Sequence, residues 1–288
     1  MPSSRKLQLD TGLAYHVLEW GPADAAHTVL LLHGFIDNAW TWEPVVEAGL
    51  GAAGFRLVAP DLRGHGDSDW IGPGGYYHFV DYLADVHDLV GKLGVETLSI
   101  VGHSMGGSVA AYYAGSYPER VRRLALLEGL GPPEATGTPP ERVRAWLGAW
   151  EAVRQKSPRS YASVAEAAER LVRHDPLLPT ELALRVAERG TTPALGGRVR
   201  FKHDPLHVTP GPHGFNLELA LGFWRNVGCP TLLVDGAESQ FRHGEAEALR
   251  RRGAFAHARH VVIPAAGHMM QRHQPARLAA ELRAFLES

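Results

Sequence analysis

A chain of 288 residues with 45% hydrophobic residues is long enough to bury a sizeable core, and 21% charged residues is ordinary for a soluble protein. The formal net charge is −2 with acids and bases interspersed, which argues against nucleic acid and anionic membranes as partners. A single cysteine, Cys229, excludes an internal disulfide and a cysteine-built metal site, and no apolar run approaches membrane-spanning length.

The opening "MPSSRKLQLD" lacks the apolar core of a signal peptide, so a soluble cytoplasmic protein is expected. Next, "KLQLDTGLAYHVLEW" holds two short runs about a Thr-Gly turn, the pattern of an antiparallel hairpin on a sheet edge. Six apolar runs of strand length follow: "HTVLLLHG" (27–34), "FRLVAPD" (55–61), "TLSIVGH" (97–103), "VRRLALLEG" (121–129), "PTLLVDG" (230–236) and "HVVIP" (260–264). Each is nearly continuously apolar, as strands buried on both faces of a parallel sheet must be. Between them, Phe79, Leu83, Val86, Val90 and Leu93 alternate spacings of four and three, which makes one apolar helix face. The closing "QPARLAAELRAFLES" repeats that pattern. Strand alternating with helix predicts an α/β fold with a mostly parallel, doubly wound sheet.

The alternation breaks after the sixth strand. "GPPEATGTPP" is a proline-rich linker, and "ERVRAWLGAWEAVRQK", "YASVAEAAERLVRHD" and "PTELALRVAERG" read as helices. A looser segment then leads to "NLELALGFWRN". The division expected is a core of residues 1–131 and 226–288, with residues 132–225 forming a helical cap inserted between two sheet strands.

The stretch "SIVGHSMGGSVA" (99–110) carries the chemistry. Gly102-His103-Ser104-Met105-Gly106 is a GxSxG sequence that follows a predicted strand and opens a predicted helix. A sharp strand-to-helix turn holds the serine in strained geometry, and the residues two before and two after it pass too close for a β-carbon. Ser104 Oγ then stands at the carboxyl edge of the sheet, beside the free N–H groups of a helix start.

The chain resembles an α/β-hydrolase over nearly its whole length outside the insertion. "LLHGF" (31–35) resembles that family's oxyanion loop, "DLRGHGDSD" (61–69) its loop after the next strand, and "PAAGHMMQRHQP" its histidine loop. Within the family, "LLEGLGPP", "RGTT" and "RFKHDP" resemble the serine hydrolase-like proteins. The resemblance implies Ser104 as nucleophile, His268 as its base, and the backbone N–H groups of Phe35 and Met105 as oxyanion donors. His33, His65 and His103 are expected to fix loops rather than transfer protons.

The triad acid departs from the family's commonest pattern. The loop after the strand that follows the insertion reads "DGAESQF", with Ser239 and Gln240 where an Asp is expected, and Glu238 beside them. Some members carry the acid at the end of the preceding strand, where this chain has Glu128. A carboxylate there needs a partner. Glu128 is preferred to Glu238, and both preserve the order Ser, acid, His.

Trp146, Trp150, Phe215, Phe223 and Trp224 lie in or beside the insertion, and Trp146, Trp150, Phe215 and Trp224 are the expected lining of an apolar substrate pocket. The plainer reading docks these aromatics on the core. "RFKHD" (200–204) offers charge to an anionic substrate or is simply solvated. Sixteen histidines are scattered without a zinc pattern, and neither metal nor organic cofactor is implied. The expected activity is a serine hydrolase cleaving a small, apolar carboxylic ester or related acyl compound through an acyl-enzyme. The alternatives are a ligand-binding protein on the same scaffold with little turnover, and a carbon–carbon bond hydrolase or lyase.

Overall fold

The computed structural model describes residues 1–288. The hairpin forms from β1 (Ser3–Gln8) and β2 (Ala14–Trp20), paired antiparallel. The chain continues through β3 (Thr28–Leu32), α1 (Glu43–Glu47), β4 (Arg56–Pro60), α2 (Phe79–Lys92), β5 (Leu98–His103), α3 (Met105–Ser116) and β6 (Val121–Leu127). After an insertion it resumes with β9 (Thr231–Gly236), α8 (Glu245–Arg252), β10 (Ala258–Ile263), α9 (Met270–His273) and α10 (Pro275–Glu287). One eight-stranded sheet results, in the order β1-β2-β4-β3-β5-β6-β9-β10. It is parallel from β4 to β10, with the hairpin joined antiparallel through β2.

Side chains two apart on a strand share a face, which explains the unbroken apolar runs. Leu30 and Leu32 enter a core with Val86, Leu89, Val109 and Leu126 under α2 and α3. Val29 and Leu31 enter a second core with Val45, Val101, Leu127, Leu278 and Leu282 under α1 and α10. Every β3 residue is buried, whereas β10, a sheet edge, exposes Arg259 and His260. Charged, exposed edges discourage pairing with another chain.

The insertion contains α4 (Pro139–Gln155), α5 (Val164–His174) and α6 (Thr180–Gly190), as its helical patterns predict. A small third core joins Tyr161, Ala167, Ala168, Leu178, Ala183 and Ala187. The segment expected to be loose instead contains a two-stranded ribbon, β7 (Thr191–Ala194) and β8 (Arg198–Phe201). Its strands are four residues long, too short for an alternation to stand out in sequence. They are joined through Gly196 and Gly197, both at φ 70°. The last helix, α7 (Leu217–Trp224), packs Leu217, Ala220, Leu221 and Trp224 into the core beneath α3. Helix α7 thus packs on the core although it falls within the segment 132–225.

Candidate active site

Ser104 joins β5 to α3 with φ 52° and ψ −118°, a backbone conformation a non-glycine residue rarely adopts. A β-carbon at Gly102 would come within 2.5 Å of the Gly106 carbonyl oxygen and 2.6 Å of Gly107 Cα. The turn is closed by the Ser104 N–H on the Leu127 carbonyl at 2.8 Å, which ties it to β6. Strain of this kind persists only where the surroundings over-determine it.

Ser104 Oγ lies 3.0 Å from His268 Nε2, and His268 Nδ1 lies 2.6 Å from Glu128 Oε2. A carboxylate only accepts, so Nδ1–H donates to Glu128, and Nε2 accepts the serine hydroxyl. The Glu128 side chain is 4% exposed and fully engaged. Its Oε1 accepts the Gly236 N–H at 2.9 Å, and its Oε2 also accepts Ser239 Oγ–H at 2.7 Å. Ser239, one of the two residues standing where an Asp is expected, thus donates to Glu128. Glu238 is exposed, and its backbone N–H binds the Ala266 carbonyl at 2.8 Å; its side chain has no bond to His268.

The three loop histidines are locked in single tautomers. His33 Nε2 accepts the Leu62 N–H at 2.9 Å while Nδ1–H donates to the Gly34 carbonyl at 2.7 Å. His65 accepts the Ile36 N–H at 3.2 Å and donates to the Arg63 carbonyl at 2.9 Å. His103 donates to the His268 carbonyl at 2.8 Å. Burial holds His65 well below the ordinary imidazole range, reinforced by His207 and His33. Burial does the same to His103, with His268 adding to it. Neutral imidazoles suit these donor–acceptor roles. The loops they brace leave two amides free. No protein acceptor takes the Phe35 N–H, and Met105 opens α3, where an N–H has no intrahelical partner.

One expected pocket residue lies elsewhere. Trp224 is wholly buried, stacked on Phe255 at 5.7 Å within the core, so it lines no open pocket. Phe223 stacks on Tyr112 at 4.3 Å. Trp146 and Trp150 stack on each other at 5.1 Å and gather on Tyr76, 5.2 and 5.9 Å away. Phe215 sits against Gly131 with the Arg251 guanidinium 4.9 Å over its ring. "RFKHD" is partly buried, and three of its residues meet residues 67–77. Lys202 pairs with Asp67 at 2.7 Å, Arg200 lies over Trp70, and Asp204 accepts the Tyr77 hydroxyl at 2.7 Å.

Three features escaped the sequence. Phe241, 67% exposed, lies 4.2 Å from the His268 ring. His207 of the insertion stacks on Tyr77 at 3.8 Å and His65 at 4.1 Å, with Phe35 edge-on at 5.8 Å. Arg251, wholly buried, donates to the carbonyls of Leu130, Gly131 and Pro132 at 2.5, 3.0 and 3.0 Å and so grips the start of the insertion. Only the position of Phe241 beside "DGAESQ" offered a signal; the other two are products of tertiary packing.

A family model described as the alpha/beta hydrolase fold matches residues 27–272, and the chain belongs to that family. It is a hydrolase that groups with the serine hydrolase-like proteins. One of these, from Dictyostelium discoideum, is 26% identical over 272 residues, covering 91% of this chain and 76% of that protein. The chain is also similar to the 3-hydroxybutyrate-oligomer hydrolase of Cupriavidus necator, 30% identical over 278 residues and covering 93% and 90% of the two chains. Among solved structures, the thioesterase domain from the curacin biosynthetic pathway superposes with a TM-score of 0.85 at 27% identity, covering 98% of this chain and 99% of the other. No helix is long and apolar enough to cross a membrane.

Proposed function

We propose that this chain is a serine esterase that cleaves small, apolar carboxylic esters or thioesters through an acyl-enzyme. The observation that carries the reading is the unbroken hydrogen-bond chain from Ser104 Oγ through His268 to Glu128, at 3.0 and 2.6 Å. Ser104 Oγ attacks the substrate carbonyl while His268 Nε2 takes its proton. Glu128 holds Nδ1–H and stabilises the imidazolium that forms. The oxyanion is received by the N–H groups of Phe35 and Met105, and each such donor contributes about 2.7–4 kcal/mol to the transition state. The imidazolium of His268 then gives its proton to the leaving oxygen or sulfur as the carbon–oxygen or carbon–sulfur bond breaks, releasing the alcohol or thiol and leaving the acyl-enzyme. Water, deprotonated by the same imidazole, releases the acid.

Phe35, Ile36 and Phe241, exposed by 48%, 41% and 67%, surround this chemistry and support an apolar acyl or alcohol group. The oligomer-hydrolase and thioesterase names of two similar proteins support short oligoesters of hydroxy acids, and thioesters, as substrates to test. A binding protein without turnover would be supported by the lack of an Asp after Gly236 if no other carboxylate met His268. Glu128 at 2.6 Å from His268 removes that support.

Labelling with a fluorophosphonate, followed by a panel of nitrophenyl esters of graded acyl length, tests the proposal. The wild type should label and hydrolyse the shorter esters, and Ser104→Ala should do neither. A folded wild type that stays unlabelled would sink it.

A further inference from the structure

A second imidazole–carboxylate pair lies five residues beyond His268. The His273 side chain, in α9, is only 2% exposed. Its Nδ1 accepts the backbone N–H of Gly267 at 3.0 Å, and its Nε2 faces the two oxygens of Asp175 at 2.9 and 2.8 Å. Because the carboxylate only accepts, Nε2 carries the proton and Nδ1 keeps the lone pair that Gly267 requires. Each bond depends on the other.

Asp175 belongs to the insertion, where it caps the carboxyl end of α5. The same turn reaches the histidine loop a second time: a β-carbon at Gly267 would lie 3.4 Å from Leu177 Cδ1. On its far side, His268 has its carbonyl held by His103 at 2.8 Å. The backbone flanking His268 is therefore clamped from the core by one imidazole and from the insertion, through His273, by another.

We propose that His273 is a positioning residue that seats the loop bearing His268, with Asp175 fixing its tautomer, so that the docking of the insertion is felt at that imidazole. This rests on His268 acting as the base for Ser104. A reacting group displaced by about 1 Å can lose on the order of 100-fold in rate, and that is the range in which such a clamp acts.

Three variants separate the two bonds. His273→Asn puts an oxygen where Nδ1 stands and keeps an acceptor for Gly267, but drops Asp175. His273→Gln reaches Asp175 with an N–H and leaves Gly267 without an acceptor. Asp175→Asn offers an N–H to Nε2, which lets the ring turn its proton toward Gly267, a wrong-tautomer effect. Fluorophosphonate labelling rate, kcat and KM on a nitrophenyl ester, and Tm are measured for each. His273→Gln and Asp175→Asn should label roughly 10- to 100-fold more slowly, with the loss in kcat and little change in KM, while His273→Asn recovers most of the rate. Equal losses of Tm with unchanged labelling of the folded fraction would reduce His273 to a packing role and overturn the proposal. So would His273→Asn as slow as His273→Gln. Nitrogen-15 NMR of the wild type reads the tautomer without turnover: Nε2–H is expected, and Nδ1–H would overturn the clamp. A wild type that never labels removes the role of His268 and this inference with it, whereas normal wild-type labelling with undiminished His273→Gln sinks this inference alone.

Discussion

The carboxyl ends of β3, β5, β6 and β10 carry all four non-glycine residues with left-handed backbone, namely Ile36, Ser104, Glu128 and Ala265; the insertion between β6 and α7 carries none. Around the first set, neutral histidines, strand pairing and close backbone contact fix each loop from several sides. The insertion is held otherwise. Helix α4 has no buried residue, and the segment meets the rest of the chain through stacked rings and ion pairs such as Arg185 with Glu43 and Glu47. The difference separates two jobs. Strained backbone gathers at the strand ends, and the insertion is held by contacts that are individually of small worth.

The comparison is broken most forcibly at the strained end. Ser104→Ala should lower turnover by about 10⁶-fold if serine, imidazole and carboxylate act as a unit, measured as kcat on a nitrophenyl ester. Glu128→Gln should cost about 10⁴-fold through loss of imidazole orientation, while Glu238→Gln stays near wild type. The reverse pattern would reassign the acid. Gly102→Ala, which drives a β-carbon into Gly106 and Gly107, should destabilise by at least about 1–3 kcal/mol, read from urea unfolding.

The contact between the two regions sharpens the contrast through pH. Burial pushes His207 down to about 3, so the unfolded chain takes up a proton below about pH 6.5 that the folded chain refuses. Stability from this group is complete above that value and is lost progressively as pH falls toward 3, by roughly 1.4 kcal/mol per pH unit. His207→Phe should flatten the acid limb of a Tm-against-pH curve by that slope, and an unchanged limb would show that His207 takes no part. Smallest of all, Arg185→Ala in the insertion should cost about 0–1 kcal/mol, because Arg185 and Glu47 are exposed and the buried Glu43 keeps Arg189 as a second cation at 3.7 Å, and should move KM before kcat.

Local pattern carried far at the strained end. Continuous apolar runs foretold strands buried on both faces, and the glycines flanking Ser104 foretold a turn whose crowding the backbone displays. Glu128 came into view through the resemblance, since some members carry the acid at that strand end, and a carboxylate there needs a partner; the structure seats it 2.6 Å from His268 Nδ1. The insertion was less legible. Its helices have clear periods, but Trp224 reads the same whether it lines a pocket or fills a core. "RFKHD" gave no hint that Lys202, Arg200 and Asp204 each find a partner on residues 67–77. Such pairings depend on where an element lands, which its own residues do not encode.

With Glu128 at the end of β6 facing His268, the stretch after β9 supplies no carboxylate to that imidazole and reaches Glu128 through the Ser239 hydroxyl. Beyond it, Gln240 and Phe241 are exposed, whereas Arg242 donates to the Gly236 carbonyl and His243 lies 3.1 Å from the Gly131 carbonyl. For anyone wishing to redirect this scaffold toward bulkier acyl groups, Phe241 is thus the natural first position to randomise.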